Sequence, residues 1–323
     1  MFIHRAKIQS THAHPISEKE YMEKSRYLKS FQTPLTKMPS YEMLCDSSHP
    51  FSMTKLADAF ELPLARNFFG LYEIDVWIED EKCRFLIDTG AQISGIRKQK
   101  AEQLKLIVPA GTLEIGSVGS TKMKLPTVLA NQLRLGMITW QHVPLVLLDQ
   151  QRFSFPLFHI DLLRFDGIFG WDLLSMLDFE LDTISKRFKV VKNHFRFDRP
   201  NLIPCSFPTL IVREEGGGTA LFGVDTGAKQ SWLGTAYVQQ RSLRVISEAK
   251  VVGFGVHGKE EMMTPIIDSL QLYVDRADIR LHGCITAFVE IFEGHPFDGV
   301  FGNEIFAGRR IRFVNSKQML LLT

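Results

Sequence analysis

Two acidic tripeptides are the residues best suited to chemistry in this chain. Asp88-Thr89-Gly90 and Asp225-Thr226-Gly227 each follow an apolar run, and each is followed by an alanine and, three residues later, a serine. Two carboxylates held close together cannot both ionise cheaply, so they share a proton over a wide pH range. The ionised member can draw a proton from water while the protonated member hydrogen-bonds a developing oxyanion. Asp88 and Asp225 could therefore carry out acid–base chemistry on water, and such chemistry requires no metal or other cofactor.

Each tripeptide also has a partner motif downstream. A single Asp-Thr-Gly would indicate only an ordinary turn, because an Asp often stands between an apolar strand and a glycine turn. Here Asp166-Gly167-Ile168-Phe169-Gly170 follows the first tripeptide and Asp298-Gly299-Val300-Phe301-Gly302 follows the second at a similar offset. Two composite motifs at nearly equal spacing indicate a duplicated unit.

The elements that position these motifs occur twice in the same order. Residues 71–78 with 82–88, and 207–213 with 219–225, read as β-hairpins that deliver each Asp at the end of the second strand. A short helix, a glycine-containing turn, long β-rich stretches and a closing hairpin follow in each half. Short helices are expected at 97–106, 171–177, 235–243 and 303–306. We predict an all-β fold of two lobes with a few short helices, in which an extension spans 1–61 and the lobes span 62–195 and 196–323.

Composition narrows the classes of partner and compartment. A chain of 323 residues with 45% hydrophobic content can form two cores, and a net charge of +2 gives no reason to expect nucleic acid. No apolar run is long enough to span a bilayer, and the first residues lack the apolar core of a secretion signal. These features predict a cytoplasmic protein that binds neither nucleic acid nor membrane. Four scattered cysteines favour reduced thiols and leave disulfides open.

The extension lies outside the repeat. Ser17 and Glu20 have the spacing of a capping box, which predicts a short helix that reaches Phe31. We favour a packing arm or tail. The alternative is a lid or inhibitory pro-segment in which a lysine pairs with the acidic site; its candidates are Lys19, Lys24 and Lys29.

The duplicated motifs resemble those of the aspartic proteases, and specifically the retropepsin-like family, as two units fused in tandem over roughly residues 62–323. This resemblance implies the acid-protease fold, with two lobes related by a pseudo-twofold axis. It also implies one catalytic Asp in each lobe, Asp88 in the first and Asp225 in the second. It implies that Thr89 and Thr226 brace the two turns and that Gly90 and Gly227 belong to the active-site loops. It also implies supporting loops beneath those turns, formed by Ile168, Phe169, Gly170, Val300, Phe301 and Gly302.

Several positions depart from the patterns of that family. Ala91 and Ala228 stand where pepsin-like enzymes usually have a hydroxyl residue, so the apparent pKa values of the pair should be higher and the pH optimum nearer neutrality. Trp171 and Asn303 replace the usual arginine after the supporting loop, so its interaction must be replaced or absent. The glycine-containing turns at 116–119 and 253–258 are either flaps or plain surface hairpins.

The expected function is that of an aspartic endopeptidase acting on a peptide or protein substrate. A cleft between two β lobes would hold the peptide as an added extended strand. Because one chain carries both carboxylates, a monomer is expected. The alternatives are a catalytically silent peptide-binding module, a zymogen-like form held inactive by the extension, and two Asp residues that only cap turns.

Overall fold

The structure is a computed structural model, and it is mostly β with a few short helices. It describes residues 15–29, 50–106, 112–115, 123–149, 156–157, 160–161, 164–192, 200–255, 258–287 and 297–323. The α-helices are α1 (Glu18–Lys29), α2 (Lys98–Gln103), α3 (Trp171–Leu174) and α4 (Thr235–Gln240), and short 3-10 helices span Asn303–Phe306 and Asn315–Lys317. Two lobes each close into a six-stranded barrel. The predicted all-β, two-lobed acid-protease fold is confirmed.

The first lobe is built on one large sheet. Its strands in chain order are β1 (Ser52–Lys55), β2 (Phe60–Pro63), β3 (Ala65–Arg66), β4 (Tyr72–Ile78), β5 (Glu81–Ile87), β6 (Gly95–Arg97), β7 (Thr112–Ile115), β8 (Met123–Leu135), β9 (Ile138–Leu148), β10 (Pro156–Leu157), β11 (Ile160–Asp161), β12 (Gly167–Phe169), β13 (Asp178–Asp182) and β14 (Arg187–Val190). The sheet order is β1-β9-β6-β12-β5-β4-β8-β7, with β3 beside β4. The other five strands lie outside it: β10 pairs with β11, and β2, β13 and β14 join a sheet described below. Because β1 pairs with β9, residues 52–55 of the predicted extension add a strand to this lobe.

The predicted hairpin of the first lobe is formed by β4 and β5. Ile78 and Glu81 are paired, and between them Glu79 and Asp80 both have positive φ, 47° and 67°. This is the two-residue turn whose twist suits an antiparallel hairpin. It brings the chain back along β5 to Asp88.

The second lobe repeats this arrangement. Its strands are β15 (Leu202–Ile203), β16 (Thr209–Glu214), β17 (Thr219–Val224), β18 (Trp232–Gly234), β19 (Val245–Gly255), β20 (Gly258–Val274), β21 (Ala277–Ala287) and β22 (Gly299–Phe301), in the order β15-β16-β17-β22-β18-β21-β20-β19. The predicted hairpin appears as β16 and β17, and Asp225 directly follows β17. The long β19–β20 hairpin contains one candidate flap turn, with Gly255 paired to Gly258. The other candidate, 116–119, lies outside the described residues.

The two supporting loops occupy equivalent places in the two lobes. Strand β12 runs parallel to β5 and antiparallel to β6, and β22 runs parallel to β17 and antiparallel to β18. Gly167 faces Phe85 across one parallel pair, and Gly299 faces Phe222 across the other. Each supporting strand therefore ends beside the Asp that follows its neighbour.

A separate five-stranded sheet joins the lobes. Its order is β2-β14-β13-β23-β24, where β23 is Arg310–Val314 and β24 is Met319–Leu322. The closing hairpins of both halves meet where β13 pairs with β23. The Phe179 ring stacks on Phe313 at 4.6 Å, and both residues are fully buried. One apolar cluster consequently extends from the first lobe through this sheet into the second.

Helix α1 packs against the second lobe, and its start carries the predicted capping box. The Ser17 hydroxyl donates to Glu20 Oε2 at 2.7 Å, and the Glu20 amide donates to Ser17 Oγ at 3.3 Å. The predicted end at Phe31 lies outside the described residues. No helix in the described ranges is long and apolar enough to cross a membrane. Cys83, Cys205 and Cys284 are buried free thiols, as the sequence favoured.

Candidate active site

Asp88 and Asp225 come together where the two lobes meet. Each carboxyl group lies close enough to the other to shift its pKa. A Cβ atom added to Gly90 would lie 2.5 Å from Cγ of Asp225, and one added to Gly227 would lie 2.5 Å from Cγ of Asp88. Only glycine therefore lets each loop approach the carboxyl group of the opposite lobe this closely.

Each carboxyl group is oriented by two amides of its own loop. Oδ1 of Asp88 accepts hydrogen bonds from the Gly90 and Ala91 amides at 2.8 and 3.0 Å. Oδ1 of Asp225 accepts from the Gly227 and Ala228 amides at the same distances. These bonds use one oxygen of each group and fix its plane. The second oxygen of each Asp takes no part in them.

The threonines of the two tripeptides lock the loops together. The Thr89 and Thr226 amides each donate to the other threonine's Oγ1 at 3.0 Å. The Thr89 hydroxyl donates to the Val224 carbonyl at 2.7 Å, and the Thr226 hydroxyl donates to the Ile87 carbonyl at 2.8 Å. Both threonines are completely buried. Four buried hydrogen bonds thus cross between the lobes directly beneath the carboxyl pair.

The supporting loops accept hydrogen bonds from the backbone amides of the two Asp residues. The Asp88 amide donates to the Phe169 carbonyl at 3.1 Å, and the Asp225 amide donates to the Phe301 carbonyl at 2.9 Å. Both phenylalanines are fully buried, and Phe301 stacks on Phe222. Ile168 and Val300 precede them in the same strands and are also buried. The structure therefore brings all of the sequence-predicted site residues into one region, while their roles stay predictions.

Sequence reasoning missed two serine–acid pairs that connect the active-site loops to the supporting loops. The Ser94 hydroxyl donates to Asp172 Oδ1 at 2.7 Å, and the Gly170 amide donates to Ser94 Oγ at 3.0 Å. In the second lobe the Ser231 amide donates to Glu304 Oε1, and the Gly302 amide donates to Ser231 Oγ at 3.0 Å. The sequence does contain a signal for these pairs: an acidic residue, Asp172 or Glu304, stands two residues after the last glycine of each supporting loop.

Trp171 and Asn303 stand where retropepsin-like enzymes usually have an arginine, and each makes a contact of its own. The Trp171 indole N–H donates to the Cys205 carbonyl of the second lobe at 2.9 Å, and its ring packs beside Phe313. The Asn303 side-chain amide donates to the Thr226 carbonyl at 2.6 Å. One residue therefore ties the lobes together, and the other braces the second active-site loop.

Electrostatics favour a shared proton in the carboxyl pair. Burial raises the pKa of Asp88 above its ordinary value, although the loop amides and the neighbouring Asp225 oppose that shift. Burial, together with the charge of Asp88, raises the pKa of Asp225 well above its ordinary value. Both shifts therefore favour the retention of a proton by the pair. The two carboxyls still titrate as a coupled unit.

Comparison with known proteins relates part of the chain to aspartic proteases. Residues 74–173 match the model of the aspartyl protease family, and this stretch contains the first tripeptide and the first supporting loop. Among solved structures, the chain is similar to a retropepsin-like aspartic protease from Rickettsia conorii, at 19% identity and a TM-score of 0.28. That similarity covers 44% of this chain and 94% of the other. A comparison with curated proteins gave no match.

Proposed function

We propose that this chain is an aspartic endopeptidase whose two catalytic carboxylates come from opposite lobes. The observation that carries the proposal is the close approach of the partly buried Asp88 and Asp225 carboxyls, each of which lies against the glycine of the opposite loop. Carboxyl pairs with a shared proton are costly to bury, and they are characteristic of acid–base chemistry on water. The aspartyl protease match over residues 74–173 supports the same reaction class.

The proposed reaction uses a water bound between the two carboxyl groups. The ionised carboxylate accepts a proton from this water as its oxygen attacks the peptide carbonyl, and the protonated carboxyl donates to the oxyanion that forms. The leaving amine then takes a proton from the pair as the C–N bond breaks. Each turnover consumes one water and regenerates the singly protonated pair.

The arrangement beneath the pair would keep the two groups aligned during turnover. Catalysis of this kind depends on holding the reacting groups within a fraction of an ångström of the productive geometry. The four threonine hydrogen bonds between the lobes, at 2.7–3.0 Å, supply that constraint. We assign Thr89 and Thr226 to this role, and Gly90 and Gly227 to the close approach of the loops.

The proposed substrate is a peptide or protein segment bound in an extended conformation. The hairpins β7–β8 and β19–β20 occupy corresponding positions in the two lobes, each following the active-site loop and the short helix of its lobe. A peptide between them would hydrogen-bond as an added strand and place alternate side chains in pockets. Since a single chain supplies both carboxyls, we propose that a monomer is sufficient.

We also propose that the two lobes arose by tandem fusion of one retropepsin-like unit. The support for this is the repeated pairing, parallel on one side and antiparallel on the other, around β12 and β22. The paired serine contacts at Gly170 and Gly302 repeat as well. Two lobes of independent origin would have had to acquire both features separately.

The test of the reaction class is cleavage of a diverse peptide library across pH, with and without a statine-type compound that mimics the tetrahedral intermediate. We expect cleavage that the compound abolishes. Cleavage that the compound leaves untouched would contradict an aspartic mechanism. Tight binding of the compound with no cleavage at any pH would favour the silent peptide-binding module instead.

A further inference from the structure

Helix α1 covers the outer side of the second supporting loop, although it comes from outside the duplicated units. Tyr21 and Leu28 are 5% and 1% exposed, and they belong to one buried apolar cluster with Phe297 and Val300. Val300 is a supporting-loop residue, and Phe297 lies two residues before its strand. The helix therefore contributes to the packing of an active-site element.

The helix is anchored at two further points by polar contacts. The Arg213 guanidinium donates to both carboxylate oxygens of Glu20, at 2.7 and 2.9 Å, and to the Pro15 carbonyl at 3.0 Å. Hydrogen bonding from Arg213 is the main reason that the pKa of Glu20 is lowered to about 2. The Tyr21 hydroxyl donates to Oε1 of Gln318 at 2.6 Å, and Gln318 lies in the turn between β23 and β24. Contacts of this kind fix both the register and the direction of the helix.

The covered loop is bonded directly to the strand that ends at Asp225. Val300 pairs with Gly223 in the parallel ladder between β22 and β17. The Leu221 amide donates to Asp298 Oδ2 at 2.7 Å, and the Asp225 amide donates to the Phe301 carbonyl at 2.9 Å. Movement of this loop would therefore move Asp225.

The first lobe packs its supporting loop in a different way. Ile168, the counterpart of Val300, lies in a cluster formed by residues of the first lobe itself. That cluster contains Leu71, Leu86, Ile93, Val146, Leu148 and Phe165, with Phe69, Ala91 and Leu125 against it. The second lobe thus uses α1 for packing that the first lobe supplies internally.

We propose that Tyr21 and Leu28 are positioning residues that act through Val300 and Phe301 to keep Asp225 aligned with Asp88. The proposal rests on the proposed protease function. In this proposal α1 supports activity, so loss of its packing contacts lowers the rate of cleavage. A removable inhibitor would have the opposite effect on activity.

The test compares four variants in the full-length chain. Leu28→Ala removes the packing, Tyr21→Phe removes only the hydrogen bonds, and Leu28→Met preserves the volume. Leu272→Ala is the matched control, because Leu272 is an equally buried leucine of the second lobe and lies on β20, which does not pair with the supporting strand β22. Kinetics are measured well below the unfolding temperature of every variant.

We expect Leu28→Ala to lower kcat by about ten- to a hundredfold, with KM changed less than about twofold, because the defect is misalignment of the catalytic pair. Tyr21→Phe should give a smaller loss of the same kind. The acid limb of the pH–rate profile should shift in Leu28→Ala, since the pKa values of the pair depend on their separation. Leu28→Met and Leu272→Ala should keep kcat within about twofold. A rise in activity on Leu28→Ala, or an equal loss in Leu272→Ala, would overturn the proposal.

Hydrogen exchange separates this proposal from the proposed function. The Leu221 and Asp225 amides should exchange faster in Leu28→Ala than in wild type or Leu272→Ala, because both donate to the covered loop. This result would support the positioning contact even if the wild-type chain cleaved no peptide. Unchanged exchange at these amides would overturn it even in an active protease.

Discussion

Thr89 and Thr226 each donate a backbone hydrogen bond to the other's hydroxyl, at 3.0 Å in both directions. Each hydroxyl in turn donates to a carbonyl of the opposite lobe. This reciprocal contact is buried, and it lies next to both carboxyl groups in the chain. The separation of Asp88 and Asp225 is therefore set by a contact that neither lobe can form alone.

Thr226→Val should lower both stability and kcat. The substitution keeps the side-chain shape but leaves the Thr89 amide and the Ile87 carbonyl buried without their partner. An unsatisfied buried polar group costs about 1–3 kcal/mol, so the unfolding free energy from urea titration should fall by about that amount or more. Thr226→Ser keeps the hydroxyl and should retain most of both properties. Equal behaviour of the two variants would show that the hydroxyl is unimportant.

Gly90→Ala should abolish most of the activity. Its methyl group would lie 2.5 Å from Cγ of Asp225, so the two loops must separate. A shift of about 1 Å in reacting groups can cost on the order of a hundredfold in rate. The matched control is Gly216→Ala in an exposed turn, where an added Cβ meets nothing within 4 Å. Peptide cleavage rates should separate the two variants, and similar rates would contradict the close approach.

Ala91→Ser and Ala228→Ser should shift the pH–rate profile toward acid. A serine hydroxyl that donates to the neighbouring carboxylate favours its charged form and lowers the apparent pKa values of the pair. The wild-type chain, in which burial raises both pKa values, should therefore have its optimum nearer neutrality than either variant. Profiles of kcat/KM that coincide for wild type and variants would contradict this reasoning.

Asp225→Asn should stabilise the folded chain near neutral pH. Because the folded pKa of Asp225 is raised, its ionisation opposes folding once the pH rises above the unfolded value of 3.8. A tenfold change in the dissociation constant of an acid on folding corresponds to about 1.4 kcal/mol, and the variant regains the energy lost in this way. Thermal unfolding should show the difference at pH 7 and little difference near pH 3. A less stable variant at pH 7 would contradict the assignment.

Glu20→Gln should have the opposite pH dependence. The folded pKa of Glu20 is lowered to about 2, below its unfolded value of 4.5. Its contribution is therefore fully present above about pH 4.5 and is lost as the pH falls toward 2. Because the carboxylate is partly exposed, the loss at neutral pH should be small, on the order of 1 kcal/mol. Urea unfolding of wild type and Glu20→Gln at pH 7 and at pH 2.5 measures this difference in unfolding free energy. An equal difference at the two pH values would exclude a stabilising ion pair between Glu20 and Arg213.

The local elements of this fold were predictable from sequence because their signals are local. The polar turn after β4, the capping box at Ser17 and the repeated tripeptides all act over a few residues. Helices α2, α3 and α4 end earlier than predicted, and two residues after the ends of α2 and α4 the chain takes a positive φ, at Lys105 and Ser242, which stops the helix. Their observed ends are Gln103, Leu174 and Gln240.

Long-range contacts carried little signal in the sequence. Nothing near Trp171 indicates that its indole reaches the Cys205 carbonyl of the other lobe. Neither does the amphipathic pattern of α1 reveal that it packs on Phe297 and Val300. The serine–acid pairs could have been found by comparing the two halves, because Ser94 with Asp172 and Ser231 with Glu304 occupy matching positions. Such contacts depend on tertiary packing, and the hydrophobic periodicity of a single segment does not reveal which segment it packs against.

The most direct measurement of the central claim is peptide cleavage by wild type, Asp88→Asn and Asp225→Asn. The matched control is Asp268→Asn, which changes an exposed carboxylate of the second lobe. Each active-site change should reduce kcat/KM by about a thousandfold or more while leaving the chain folded, because both carboxylates act in one proton transfer. The control should stay within twofold of wild type. Full activity in either single active-site variant would contradict a carboxyl pair shared between the lobes.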